Sequence, residues 1–84
     1  MINLDNNKID SAKENFETCL LLNSEYTLAI IGLGNVHYEK GNYEKAEEYH
    51  RKALRIDPKD IQAIISLAYS LSGQKVKFFY LKFK

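Results

Sequence analysis

The chain is poor in the residues that staple a fold or anchor it elsewhere. One cysteine among 84 residues, Cys19, excludes an internal disulfide framework and removes any argument for secretion. Proline occurs once and tryptophan not at all. No stretch is long and apolar enough to span a bilayer. The opening MINLDNNKID lacks the basic and apolar segments of a signal peptide. These absences make a reducing, cytoplasmic setting the expectation. A broad basic surface is missing too. Residues 1–74 carry eight Lys or Arg against eleven Asp or Glu, a net −3, so the body offers no face for phosphate backbones. The basic charge is gathered in Lys75, Lys77, Lys82 and Lys84, with no acid among residues 75–84.

What is present is helical periodicity. Hydrophobic residues make up 45% of the chain, enough for a thin core in one small domain. Residues 27–60 place Ala29, Ile30, Leu33, Val36 and His37 at three- and four-residue steps, and then Tyr43, Ala46, Tyr49, His50, Ala53 and Ile56. That spacing puts side chains on one helical face, whereas a strand alternates by two. Gly41 is placed to end the first helix in the left-handed conformation, and Asn42 to cap the next. Asp57 and Pro58 end the hairpin, with Pro58 expected in the first turn of a following helix.

The unit recurs. A shift of 34 residues lays Ala12 on Ala46, Cys19 on Ala53, Leu20 on Leu54 and Leu22 on Ile56. Further along, Ala29 meets Ala63, Ile30 meets Ile64, Ile31 meets Ile65 and Leu33 meets Leu67. Asn7 falls on Gly41, which suggests a second left-handed residue, and Asn23 falls on Asp57, both good caps. Matches of size and role at a fixed period mark a stacked repeat. Helices are expected over 8–22, 25–40, 43–56 and 59–72, with residues 1–6 the last turn of an earlier helix and Gly73 at an end.

The stretch with Leu33, Gly34, Gly41, Tyr43, Ala46, Ala53 and Pro58 resembles the tetratricopeptide repeat, a 34-residue helix–turn–helix. Ile30 stands where that family usually has Trp, and His37 and His50 where it has other aromatic rings. The resemblance covers residues 7–72. It implies an all-α fold of antiparallel helix-turn-helix repeats stacked as a short right-handed α-solenoid. The chain divides into a partial repeat (1–26), a complete repeat (27–60), a second partial repeat (61–74) and a divergent basic-aromatic tail (75–84). Gly34 and Ala46 are expected where the two helices of one unit cross, with Ala12 repeating the role of Ala46 and Ala68 that of Gly34. Residues 27–40 are apolar around most of the circumference, as a helix covered on several sides would be.

No catalytic constellation emerges. His37 and His50 read as core or half-buried rings close enough to touch, because a metal or catalytic site needs more partners in a defined geometry. Cys19 reads as a small core residue like its counterpart Ala53. Gly32, Gly34 and Gly41 form no phosphate loop, lacking a preceding strand and a lysine at a helix start. No enzyme activity, cofactor or metal is expected.

A binding surface remains. By the resemblance, the first helix of each repeat lines a concave groove, here through Leu28, Ile31, Asn35, Tyr38 and Glu39, then Gln62, Ile65, Tyr69 and Ser72. The steps 28, 31, 35, 38 and 62, 65, 69, 72 trace one face on each helix regardless of the resemblance. Such a mainly apolar groove suits a helix or extended peptide; the competing reading is that these residues pack on a neighbouring helix. Gly32, Gln62 and Ser66 stand where carboxylate-clamping members present Asn or cations, which argues against a receptor for chaperone tails. The expected function is therefore a protein-interaction scaffold, with a possible self-association through the repeat ends, the faces of residues 8–22 and 59–72. The alternatives are a helical-repeat part of a longer enzyme-containing polypeptide, or an adaptor whose tail meets a membrane surface. An RNA-binding helical repeat would need a 35-residue period and a basic face. For the tail KVKFFYLKFK, the expectation is a terminal helix folding back on residues 59–72.

Overall fold

The computed structural model describes residues 6–83, which form four helices: α1 (Asn6–Leu22), α2 (Thr27–Glu39), α3 (Tyr43–Ile56) and α4 (Ile61–Phe83). The helical turn expected before residue 6 lies outside the described residues. Each helix packs on the next, and α4 also reaches back to α2. The core is thin, as the length implies: Ile30, Ile31, Ala53 and Ala63 form its centre, with Leu20, Tyr49 and Leu54 packed on it.

The 34-residue period is reproduced bond by bond. Asn23 Oδ1 accepts from the Glu25 N–H at 3.1 Å, and Asp57 Oδ1 from the Lys59 N–H at 3.2 Å. The Asn23 and Asp57 N–H groups donate to the Cys19 and Ala53 carbonyls, both at 2.9 Å. The Tyr26 N–H returns to the Asn23 carbonyl at 3.1 Å, and the Asp60 N–H to the Asp57 carbonyl at 3.2 Å. Two turns of one design therefore close α1 and α3. Pro58 belongs to the second of these turns rather than to a first helical turn. There its fixed φ suits the second position of a β-turn, and Asp60 takes over as cap, its Oδ1 accepting from the Ala63 N–H at 3.3 Å.

The turn between α2 and α3 is of another kind. Gly41 has φ +79°, its N–H donates to the Tyr38 carbonyl at 3.0 Å, and the Asn42 N–H donates to the His37 carbonyl at 2.8 Å. This pair of bonds is the Schellman closure, which satisfies the last carbonyls of α2. Asn42 holds the N-cap place of α3 without a side-chain cap bond. Asn7 does not mirror Gly41: it lies inside α1, and no non-glycine residue among those described has positive φ.

α4 departs most from expectation. It does not end near Gly73 and the tail does not fold back; one helix runs from Ile61 to Phe83. The reason for Gly73 is proximity. A Cβ there would lie 2.6 Å from Cδ1 of Tyr43, so the glycine lets the ring rest against the α4 backbone. One residue on, Gln74 Nε2 donates to Glu47 Oε1 at 2.7 Å.

Candidate functional site: the face shared by α2 and α4

Packing α4 beside α2 opens a cleft of about 370 Å³ between them. Asn35, Tyr38 and Glu39 come from α2, Ile65, Ser66 and Tyr69 from α4, and His50 of α3 forms the floor. The helical steps on each helix bring these side chains to one side, and the small residues at positions 34 and 66 let the floor rise between them. Ile65 and Tyr69 stay about half exposed or more. The rings of Tyr38 and Tyr69 meet edge-on with centroids 6.4 Å apart, and Tyr38 also meets Tyr43 at 5.2 Å.

The floor is a polar network under an apolar wall. His50 and Ser70 are both fully enclosed. His50 Nδ1 lies 2.7 Å from Ser70 Oγ, His50 Nε2 lies 3.1 Å from Asn35 Oδ1, and Ser70 Oγ donates to the Ser66 carbonyl at 3.1 Å. Burial holds the imidazole below its ordinary pKa, opposed by a hydrogen bond to the Ile31 backbone, so the ring is neutral at pH 7. A neutral ring donates once. Asn35 Oδ1 can only accept, so with Nε2 donating to it the neutral ring leaves Nδ1 to accept from the Ser70 hydroxyl, which shares its single hydrogen between His50 and the Ser66 carbonyl. Only an imidazolium could donate to both neighbours, and its charge would sit in an enclosed place.

A second trough of about 270 Å³ lies on the other side of α2, against α1, lined mainly by Ile9, Ala12, Phe16, Gly32 and Val36. Asn35 and Glu39 form the ridge between the two troughs, since they border both. The pair makes one corrugated surface across α1, α2 and α4.

Of the residues anticipated for the groove, the structure brings Asn35, Tyr38, Glu39, Ile65 and Tyr69 into one cleft. Leu28 and Gln62 are exposed but do not border it. Ser72 lines a neighbouring notch beside Gly41 and Gly73. Ile31 is buried and is not on the surface at all. It lies where α4 comes closest, in the same cluster as Ala63, so the stripe through residue 31 enters the core before it reaches the groove. Sequence reasoning missed His50 and Ser70 as parts of the site. The signal was a polar ring at a position that the repeat gives to an apolar one.

The other singled-out side chains keep to packing roles. His37 stacks on Tyr49, centroids 5.5 Å apart and rings 10° from parallel, while His50 takes different partners. His37 Nδ1 is enclosed with no hydrogen-bond partner among the described residues. Burial, then Lys13, Lys40 and Lys45, lower its pKa against the opposing pull of Glu48. Cys19 is half-buried with a free thiol. Among the described residues no three His, Cys, Asp or Glu side chains converge as a metal centre requires.

Residues 28–60 match the family model of the tetratricopeptide repeat. Over that span the chain is similar to a single tetratricopeptide repeat. Among curated proteins it is similar to human "Tetratricopeptide repeat protein 6", 28% identical over 58 residues, which is 69% of this chain and 11% of that protein. It is also similar to the "Protein CTR9 homolog" of Arabidopsis thaliana, 40% identical over 53 residues, 63% of this chain and 5% of that protein. The chain thus spans about a tenth or less of the relatives it matches. In the repeat, α2 and α3 are the two helices of the matched unit, and α1 and α4 flank it. Among the described residues no helix is long and apolar enough to cross a membrane.

Proposed function

We propose that the chain is a protein-interaction module, and that the corrugated face of α1, α2 and α4 holds a helix or extended peptide of its partner. Tetratricopeptide repeats generally bind protein partners, and the observation that carries the reading here is the α2–α4 cleft. Ile65 and Tyr69 leave apolar surface open beside Asn35 and Glu39, so one short span offers both contact area and hydrogen-bond partners. The trough against α1 extends the apolar strip for a second anchor residue. An apolar side chain would seat on Tyr69 and Ile65. The carboxylate of Glu39 favours a partner with a cation or backbone N–H nearby.

The test uses Ile65→Ala with Tyr69→Ala, two positions open enough to change without emptying the core. Wild type and variant are compared for peptides selected from a random displayed library, with circular dichroism as the control. The variant should lose about 2 kcal/mol or more of affinity, as aromatic anchors do. Equal affinity with unchanged helicity would remove the cleft as the binding site.

A further inference from the structure

α4 is longer than the hairpin it lies on. Its 23 residues extend about 35 Å against about 21 Å for the 14 of α3. Past the contacts of Gly73 with Tyr43 and Gln74 with Glu47, residues 75–82 continue beside the turn that joins α2 to α3. Val76, Phe78, Phe79, Tyr80 and Leu81 are 47–68% exposed there. The overhang and the hairpin end form a step with a notch on each flank. One, of about 520 Å³, runs between Phe78, Leu81 and the start of α3 at Tyr43, Glu44 and Glu48. The other, of about 640 Å³, runs between Val76, Tyr80 and the Gly41 turn.

We propose that this step is a dimer interface, filled by the overhang of a second copy of the chain packed antiparallel about a twofold axis. This surface adjoins the peptide cleft at Tyr38, which lines both, and is distinct from the faces of α1 and the first half of α4. Two features on the step point to a second copy. The first is charge. The overhang carries Lys75, Lys77 and Lys82 with no acid, while the facing wall carries Glu44 and Glu48, the latter sharing Lys45 at 3.6 Å. An antiparallel partner brings its Lys82 end toward that wall. Second, the patch holds apolar stripe, cations and acids together, so it is complementary to itself, as a twofold interface requires.

Sedimentation equilibrium of the full 84-residue chain tests this. The wild type should pass from monomer to dimer with concentration. Phe78→Glu with Leu81→Glu should weaken dimerisation at least about tenfold with helicity unchanged. Charge reversal supplies the sharper arm. A chain with Glu44→Lys and Glu48→Lys, and a chain with Lys75→Glu, Lys77→Glu and Lys82→Glu, should each be weaker dimers alone and should form a one-to-one heterodimer when mixed. A wild type monomeric throughout overturns the proposal. So does dimerisation untouched by Phe78→Glu with Leu81→Glu, or charge-reversed chains that fail to pair. Vesicles with and without phosphatidylserine separate the remaining occupant: a monomer that sediments only with the anionic vesicles assigns the overhang to a membrane surface instead. Ile65 and Tyr69 lie outside the step, so the Ile65→Ala, Tyr69→Ala variant should dimerise as the wild type does whatever its peptide affinity.

Discussion

Gly32 and Gly34 stand two residues apart on α2 and meet neighbours of different freedom. A Cβ on Gly34 would overlap the His50 imidazole, which is enclosed and tied to both Ser70 and Asn35. A Cβ on Gly32 would press on the end of the Phe16 ring, which is half-buried at the open α1 trough and can swing. Alanine otherwise favours a helix over glycine by about 1 kcal/mol. Gly34→Ala should therefore cost up to about 2 kcal/mol net, because overpacking an enclosed site costs about 1–3 kcal/mol. Gly32→Ala should be neutral or slightly stabilising. Urea unfolding of the two variants checks the order. A Gly34→Ala chain as stable as the wild type would mean that His50 is not held where the cleft floor requires it. The placement of Gly34 at the helix crossing was legible from the repeat spacing. Its partner was not, since nothing in a linear pattern links residues 35, 50 and 70.

At the scale of elements, most of the boundaries were legible because turn chemistry announces them. Gly41, Asn23 and Asp57 each close a helix by bonds that their residue types make locally. Gly73 misled for a physical reason. Glycine serves both to end helices and to admit a neighbour closely, and here it admits Tyr43. With no proline and no left-handed turn after it, α4 continues through Phe78, Phe79 and Tyr80 despite their preference for strands. Ile31 misled in a similar way: one face of α2 was legible from its steps, but which part of that face meets α4 depends on how the helices cross. The overhang makes a prediction opposite to that of a tail folded back on the core. Deleting residues 75–84 should leave the melting temperature of the dilute chain nearly unchanged, because the Tyr43 and Glu47 contacts stay in place. The deletion should also lower the binding of an apolar dye. Calorimetry and dye fluorescence on the truncated chain decide it. A large drop in melting temperature together with a rise in dye signal would show that residues 75–82 cover part of the core.

The whole molecule is a thin helical stack in which two histidines occupy places that could have been apolar. Both are neutral in the folded chain for the same leading cause, burial, with Lys13, Lys40 and Lys45 adding to it at His37. The sign of the consequence follows. Each ring binds its proton more readily when unfolded, at the ordinary pKa of 6.5, than when folded. Stability then rises with pH wherever the unfolded chain holds more protons. The contribution is fully present above pH 6.5 and is lost as pH falls from there through the lower folded values. Glu47 acts in the same direction at lower pH. Its carboxylate is held below the usual range by the hydrogen bond from Gln74, then by the bond from Arg51, so acid also weakens the α3–α4 contact, though this group is largely solvated. The urea midpoint should accordingly be flat in mildly alkaline buffer and fall between about pH 7 and pH 5, the interval in which an ordinary imidazole charges. His37→Phe should keep the stacking on Tyr49 while removing an enclosed nitrogen without a partner, making the fall shallower. The remaining slope belongs to His50. Protonation there would place a charge in the enclosed floor of the cleft, so peptide binding in the cleft should weaken over the same interval. A midpoint independent of pH from 7 to 5, or one that rises toward pH 5, would mean that burial does not keep the two rings neutral in the folded chain.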